Sequence, residues 1–273
     1  MNDTTERAGV DNAGVRRFRL LDLFSGIGGF SLGLEQSGNF QTVAFCEIEP
    51  LPRRVLKKHW PDVPIYEDVR TLTAEGLAAD GISVDAICGG FPCQDLSVAG
   101  KRAGIEGERS GLWSEYARLI GELRPRVVIV ENVTGLLSGP SERPGAWFGR
   151  VLGDLAARGY DAEWENIPAS ALGAPHRRER VWIVAYPNRN GLEAHPDEGF
   201  LRAAAKLYWR TRRLGEVGSS GVWFEPRPIG ARPLAVGNGV PSELGEIKGY
   251  GNAVVPQIPE LIGRAIMEAE GMA

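Results

Sequence analysis

A short apolar run near the start of the chain ends in a cluster of glycines. Residues 18–24 (FRLLDLF) lead directly into residues 25–29 (SGIGG). An apolar run of this length before glycines predicts a buried strand that enters a tight turn. Residues 30–37 then show helical spacing, and Gly38 is a suitable C-terminal cap. The order of strand, glycine turn and helix is typical of α/β proteins.

The same alternation continues along the chain. Residues 42–48, 84–88, 127–130 and 181–186 are further short apolar or β-branched runs, whereas residues 51–60, 112–123 and 254–269 have helical spacing. Strands that alternate with helices predict a mostly parallel sheet covered by helices on both faces. The segment from 187 to 246 is rich in Gly, Pro, Arg and Trp and lacks periodicity. It is predicted to be a small separate module or an irregular insertion.

Composition excludes several classes of protein. The 273 residues carry a net charge of −4, which argues against a general coat for nucleic acid. Three cysteines cannot form a disulfide framework, and their spacing does not suggest structural zinc, so a reducing cytoplasm is expected. No apolar run reaches the roughly 18 residues of a membrane span, and residues 1–17 lack a secretory signal. Residues 171–214 hold nine basic residues against four acidic ones, which suits either polyanion binding or a solvated arginine-rich face.

The glycine turn and an acidic residue suggest a site for a nucleoside cofactor. Glu47 lies 18 residues after Gly29, near the end of the second predicted strand. Acidic residues at about this distance, roughly 20 residues, bind ribose hydroxyls in related folds. The glycine spacing differs from the dinucleotide pattern, however, and a tight turn without a ligand is the alternative interpretation.

A cysteine follows the strand at 84–88. The segment 89–94 (GGFPCQ) places Cys93 where open α/β sheets carry their chemistry, which favours a nucleophile over a buried structural cysteine. The glycine-rich stretch 95–111 is cationic and suits closure over a phosphate-bearing substrate. Cys46 and Cys88 lie inside predicted strands and are expected to be buried.

Charged residues follow two further strands. Apolar walls around Glu131 would raise the pKa of its carboxyl and let it donate a proton, although the residue could instead cap a turn. Strand alternation places Arg178 and Arg180 on one face, where they could hold a carboxylate, a base carbonyl or a phosphate. A surface Arg–Glu network is the alternative there.

These clusters, in this order, resemble the DNA (cytosine-5) methyltransferase family. The matching motifs are DLFSGIGGF at 22–30, GFPCQ at 90–94 with Ser97, Gly100 and Lys101, ENV at 131–133, the arginines at 178 and 180, and GNAVVP at 251–256. The resemblance covers about residues 18–186 and 246–270. His176 stands where the family often has Gln, and EDV at 67–69 replaces a Gly-Asp-Ile-like motif but keeps the Asp. The region before the closing motif is short, about 60 residues, and resembles compact phage and prophage members.

The resemblance implies a Rossmann-like S-adenosylmethionine-dependent methyltransferase sheet with a small irregular target-recognition region. It implies methyl transfer to C5 of cytosine in double-stranded DNA, through an adduct of Cys93 at C6 and base flipping. The implied catalytic residues are Cys93, Glu131, Arg178 and Arg180. The implied cofactor contacts are Phe24, Gly26, Gly28, Glu47, Ile48, Asp68, Pro92, Leu112, Asn252 and Val254. Gln94, Ser97 and Lys101 are implied DNA contacts, and no metal is expected.

The implied organisation is a flexible tail at 1–17, a catalytic and cofactor-binding domain at 18–186, a target-recognition region at 187–245 and a C-terminal segment at 246–273 that packs back on the catalytic domain. A monomer in the cytoplasm of a bacterial or phage-infected cell is expected, and a cognate restriction endonuclease is a candidate partner. Three alternatives stay open: the same chemistry on tRNA, a catalytically silent DNA-binding module, and a nicotinamide dehydrogenase.

Overall fold

A computed structural model describes residues 17–92, 111–139, 143–172, 177–188 and 253–270. The elements in chain order are β1 (Phe18–Leu23), α1 (Gly29–Gln36), β2 (Phe40–Cys46), α2 (Pro50–His59), β3 (Ile65–Tyr66), α3 (Ala74–Ala79), β4 (Ala86–Gly89), α4 (Leu112–Leu123), β5 (Val127–Val133), α5 (Gly135–Ser138), α6 (Ala146–Ala157), β6 (Tyr160–Pro168), a 3-10 helix (Ala169–Leu172), β7 (Glu179–Pro187) and α7 (Gln257–Ala269).

In the described residues the strands form one sheet in the order β3-β2-β1-β4-β5-β7-β6. Strands β1 to β5 pair in parallel, whereas β7 is antiparallel to both β5 and β6. The prediction of a mostly parallel sheet is therefore confirmed. Because β7 runs in the opposite direction, its first residues lie at the edge where the parallel strands end. The arginine-rich start of β7 thus pairs with the end of β5, at the same edge of the sheet as the carboxyl ends of β1 and β4.

Helices cover both faces of the sheet, as the alternation of strands and helices predicts. On one face, buried side chains of α3, α4, α5 and α6 pack on Leu21, Ile87 and Val128. On the other face, α1 and α7 pack on Leu20 and Ile129. This pattern follows from strand geometry, because alternate side chains of a strand point to opposite faces. Asp22 lies two residues after Leu20, so its side chain points to the same face, where it accepts a hydrogen bond from the hydroxyl of Ser31 in α1.

Helix α7 comes from the far end of the chain and packs against α1. A Cβ added to Gly33 would lie 2.0 Å from the carbonyl oxygen of Pro256, and one added to Gly29 would lie 2.6 Å from that of Val254. These distances are too short for any side chain, so α1 needs glycine at both positions. The close approach places residues 253–256 directly beside the glycine turn. No helix in the described part of the chain is long and apolar enough to cross a membrane.

Candidate active site

The glycine turn after β1 and the acidic residue after β2 are joined by hydrogen bonds. The backbone N–H of Gly26 donates to Oε2 of Glu47 at 2.7 Å, and that of Glu49 donates to Oε1 at 2.8 Å. Phe24 and Gly26 both have a φ of 53°. A left-handed backbone is unusual for a phenylalanine and often marks a functional site. The turn therefore holds the Glu47 carboxylate at the carboxyl edge of β1 and β2.

The surroundings of this carboxylate leave room for a ligand. Ile48 is 58% exposed, although its neighbour Glu47 is only 7% exposed. A Cβ built on Gly26 would have no other atom within 4 Å. An exposed isoleucine next to a buried carboxylate, above an open turn, suits a ligand that has both an apolar ring and hydroxyl groups. These observations fit the ribose and adenine of a nucleoside cofactor.

Carboxylates give this edge of the sheet a negative potential. Burial, together with the charges of Glu47, Asp68 and Asp22, raises the pKa of the Cys46 thiol to about 12. Asp68 is held by Arg70, whose backbone N–H and guanidinium both donate to it. The Arg70 bonds lower the pKa of Asp68, so this carboxyl stays ionised at neutral pH. Glu47 and Asp68 therefore both lie close enough to Cys46 to act on its thiol at this edge of the sheet.

Glu131 lies within β5, opposite Trp182 of β7. Its Oε1 lies 3.0 Å from Nε of Arg180, and the two side chains are 13% and 23% exposed. Burial raises the pKa of Glu131, while the charges of Arg180 and Arg178 act in the opposite direction. The prediction of a raised pKa is confirmed in direction. The Arg180 pair identifies Glu131 as part of an ion pair in the site rather than the cap of a turn.

Arg178 reaches the same carboxylate by a route that strand alternation does not describe. Strand β7 begins at Glu179, and Arg178 precedes it with a φ of 21°. Strand alternation therefore does not decide the side on which Arg178 lies, and its placement on one face with Arg180 stays a prediction. Burial lowers the pKa of Arg178, the charge of Arg180 lowers it further, and Glu131 opposes both effects. Both arginines thus act electrostatically on Glu131, as the sequence suggested.

Asn132 connects Glu131 to the segment that precedes Cys93. This residue is 2% exposed, and its Nδ2 donates to the carbonyl oxygen of Phe91 at 3.2 Å. A Cβ on Gly90 would lie 2.8 Å from Oε2 of Glu131, so the glycine lets the segment run closely past the carboxylate. Asn132 is the middle residue of the ENV motif at 131–133, and no role was predicted for it from the sequence. A polar residue beside a candidate catalytic glutamate, inside an apolar strand, was the available signal.

The structure brings several predicted residues to one edge of the sheet. Phe24, Gly26 and Glu47 surround the first turn, Val254 lies at Gly29, and Glu131 meets Arg180. Pro92 is the last described residue before the gap at 93–110, and Leu112 begins α4 after it and packs against the core. Cys46 and Cys88 are buried, as predicted. Among the predicted site residues, Cys93, Gln94, Ser97, Lys101 and Asn252 lie outside the described residues, as do residues 173–176 and those from 189 onward in the basic segment.

The described sheet has a Rossmann-like fold, which solved structures of methyltransferases share. The chain is 28% identical to a DNA modification methyltransferase encoded within an E. coli prophage, with a TM-score of 0.53, over 62% of this chain and 47% of that one. The fold also matches DNMT2 of Spodoptera frugiperda, with a TM-score of 0.51 at 22% identity, over 63% of this chain and 51% of that one.

Residues 18–210 match the family model for C-5 cytosine-specific DNA methylase, and the chain belongs to that family. It is 39% identical to the Type II methyltransferase M2.BsuMI of Bacillus subtilis (strain 168), over 61% of this chain and 41% of the relative. It is 33% identical to M.NlaIV of Neisseria lactamica, over 68% of this chain and 44% of the relative. The chain thus spans less than half the length of these two relatives, and the resemblance inferred from the sequence is confirmed.

Proposed function

We propose that the chain transfers a methyl group from S-adenosylmethionine to C5 of cytosine in double-stranded DNA. The proposal includes a covalent bond between Cys93 and C6 of a cytosine flipped out of the duplex. The observation that carries it is the half-buried Glu131–Arg180 pair, which lies against Gly90 and is tied through Asn132 to the segment leading to Cys93. That pair and the glycine turn lie at the same edge of the sheet.

The described residues suit the cofactor. Glu47 would bind the ribose hydroxyls, Ile48 would contact the adenine ring, and Asp68 would accept from the adenine amine. The turn at Phe24, Gly26 and Gly28 would line the methionine side. When bound, S-adenosylmethionine supplies an electrophilic methyl group on a sulfonium. Pro92, Leu112, Asn252 and Val254 complete the proposed pocket.

The chain's own residues would make C5 of cytosine nucleophilic. The thiolate of Cys93 forms a bond to C6, the π electrons of the C5–C6 double bond shift to C4–C5, and N3 takes a proton from Glu131, so C5 becomes the nucleophilic carbon of an enamine. Arg180 holds Glu131 in place and contacts the base carbonyl, and Arg178 supports this network. After C5 has gained the methyl group, a base removes the C5 proton. The C6–S bond then breaks, Cys93 leaves as a thiolate, and the N3 proton returns to Glu131.

Other parts of the proposal concern the substrate and the partners. Gln94, Ser97 and Lys101 would contact DNA phosphates, and residues 187–245 would read the target sequence. We keep the division into tail, catalytic domain, recognition region and C-terminal segment as part of this proposal, together with a monomeric state and a cytoplasmic location. The Type II names of the relatives suggest a restriction endonuclease as a partner.

Trapping on a fluorinated substrate tests the chemistry directly. A duplex that contains 5-fluorocytosine cannot lose a proton from C5, so the proposed enzyme should stay attached after methyl transfer. We expect a complex stable in denaturant for the wild type with S-adenosylmethionine, and none for Cys93→Ser. Glu131→Gln should slow adduct formation by about 10²–10⁴-fold. Absence of an adduct with the wild type would favour the catalytically silent module.

The nucleic acid is tested separately. Labelled methyl transfer to duplex DNA and to tRNA distinguishes the proposed substrate from the RNA alternative. Bisulfite sequencing of a host that expresses the chain would then identify the methylated sequence. Labelling of tRNA alone would contradict the assignment of DNA but leave the cysteine chemistry intact.

A further inference from the structure

Arg118 of α4 uses its guanidinium to hold a loop from another part of the chain. Its Nη2 donates to the carbonyl oxygens of Val69 and Leu72, at 3.0 and 2.9 Å. Its Nε and Nη1 bind Glu115 and Glu122, at 2.8 and 2.7 Å, one turn away on either side. The two glutamates fix the plane of the guanidinium, so the remaining nitrogen points at the loop in a defined direction.

The loop held in this way carries Asp68. The N–H groups of Thr71 and Leu72 donate to the Asp68 carbonyl at 3.1 and 3.2 Å, which forms a tight turn that begins at Asp68. The side chains of Val69 and Leu72 are only 4% and 3% exposed, so they set the depth of the loop in the core. The hydrogen bonds from Arg118 to the carbonyl oxygens of Val69 and Leu72 fix the rotation of the loop. Together with Arg70, these contacts fix the direction of the Asp68 carboxylate.

We propose that Arg118 is a positioning residue for the recognition of the adenine amine by Asp68. This inference rests on the proposed function, in which Asp68 faces the adenine ring of S-adenosylmethionine. The carboxylate is an acceptor only, so it favours a ring that presents an amine and disfavours one that presents a carbonyl at the same place. The preference for an amine depends on the direction of the Asp68 carboxylate. It therefore depends on the two hydrogen bonds by which Arg118 holds the loop carbonyls.

A merely structural role would have a different signature. The ion pairs of Arg118 are about 30% exposed at each partner, and pairs of this kind contribute little to stability. Water can reach the loop carbonyls when the guanidinium is removed, so the chain should stay folded while the loop shifts. A lysine cannot replace the arginine, because its point-like ammonium lacks the fork that serves two carbonyls and two carboxylates at once.

The experiment compares two ligands on the full chain. Calorimetry measures binding of S-adenosylhomocysteine and of its 6-oxo analogue, S-inosylhomocysteine, to the wild type, Arg118→Gln, Arg118→Lys and Asp68→Asn. Arg264→Gln is the control, because Arg264 forms a similar exposed pair with Glu260 on α7. We expect the wild type to prefer the amine at least about tenfold, as one or two hydrogen bonds would give. Both Arg118 variants should lose most of that preference, as Asp68→Asn does, while Arg264→Gln keeps it.

The possible failures are distinguishable. A wild type that binds neither ligand would overturn the proposed cofactor site and this inference with it. If the wild type binds both ligands equally, or if the Arg118 variants keep its preference, the inference alone is wrong. It is also wrong if both variants lose affinity for the two ligands by the same factor, or if both are unfolded at the assay temperature, because either result indicates a general role in the scaffold.

Discussion

The most unusual single residue outside the proposed chemistry is Asp22. Its side chain is fully buried in β1, and its Oδ2 accepts from the hydroxyl of Ser31 at 2.7 Å. Burial raises the pKa of Asp22 from 3.8 to about 7, although the bonds from Ser31 and Cys88 partly oppose this effect. Because the folded state favours the neutral form of this carboxyl, the free energy of unfolding depends on pH.

The direction of that dependence follows from the raised pKa. The stabilisation by the neutral Asp22 carboxyl is fully present below pH 3.8, which is its pKa in the unfolded chain, and is lost as the pH rises through about 7, its pKa in the folded protein. Asp22→Asn stays neutral and should remove this dependence. We expect the free energy of unfolding of the wild type to fall by about 2–3 kcal/mol more than that of the variant between pH 5 and 8. Urea titrations of both proteins at the two pH values measure the difference, and parallel changes would contradict the assignment.

Gly90 provides a second test at the scale of one residue. A methyl group there would lie 2.8 Å from Oε2 of Glu131 and would push the carboxylate aside. We expect Gly90→Ala to slow methyl transfer by about 10²-fold, as misplacement by about 1 Å does, while binding of S-adenosylhomocysteine is unchanged. Single-turnover rates measure the effect. Gly149→Ala is the control, because a Cβ there meets no atom within 4 Å; equal rates in both variants would show that Gly90 tolerates a side chain.

At the scale of elements, the contact between α1 and α7 depends on a missing side chain. Gly33 and Gly153 are both helical glycines, but only at Gly33 would a Cβ collide with backbone, 2.0 Å from the Pro256 oxygen. Gly153→Ala should stabilise the protein by about 0.5–1 kcal/mol through helix propensity. Gly33→Ala should instead destabilise it by about 1–3 kcal/mol through overpacking. Chemical denaturation of the two variants measures both signs, and stabilisation by Gly33→Ala would show that α7 does not pack closely on α1.

The sequence predicts some elements well and misses others for physical reasons. The helix expected at 112–123 has those bounds in the structure, because its apolar residues recur with clear helical spacing. The strand β3 contains only two residues, too few to show any alternation. The edge strand β6 exposes Glu165 and Asn166 and lacks an apolar run. The last helix begins at Gln257 rather than at 254, and residues 253–255 are not helical.

The candidate site also has some features that the sequence predicts and others that it does not. The sequence placed its motifs near strand ends: Glu47 directly follows β2, whereas Glu131 lies within β5, which continues to Val133 rather than ending at 130. The contacts that orient them could not be predicted, because they join distant segments. Asn132 reaches Phe91 across 41 residues, and Arg118 reaches Val69 across 49. The direction of β7, which brings Arg180 to Glu131, depends on pairing in the whole sheet rather than on local pattern.

At the scale of the whole molecule, the proposed cofactor site joins segments from both ends of the described chain. The first turn, the carboxylate after β2 and the residues before α7 meet at one edge of the sheet. A ligand that binds only this assembled form must stabilise the entire fold. At a concentration 100 times its Kd, it adds about 2.7 kcal/mol to the free energy of unfolding.

The last prediction uses this linkage to test Glu47. In Glu47→Gln, the amide oxygen can still accept a hydrogen bond from Gly26 or Glu49, but the charge that binds ribose hydroxyls is lost. We expect S-adenosylhomocysteine to stabilise the wild type against urea much more than the variant at the same ligand concentration. Affinity for duplex DNA, measured on the same preparations, should change less than affinity for the ligand. An equal ligand effect on both proteins, or a larger loss of DNA binding than of ligand binding, would contradict the assignment of Glu47 to the ribose.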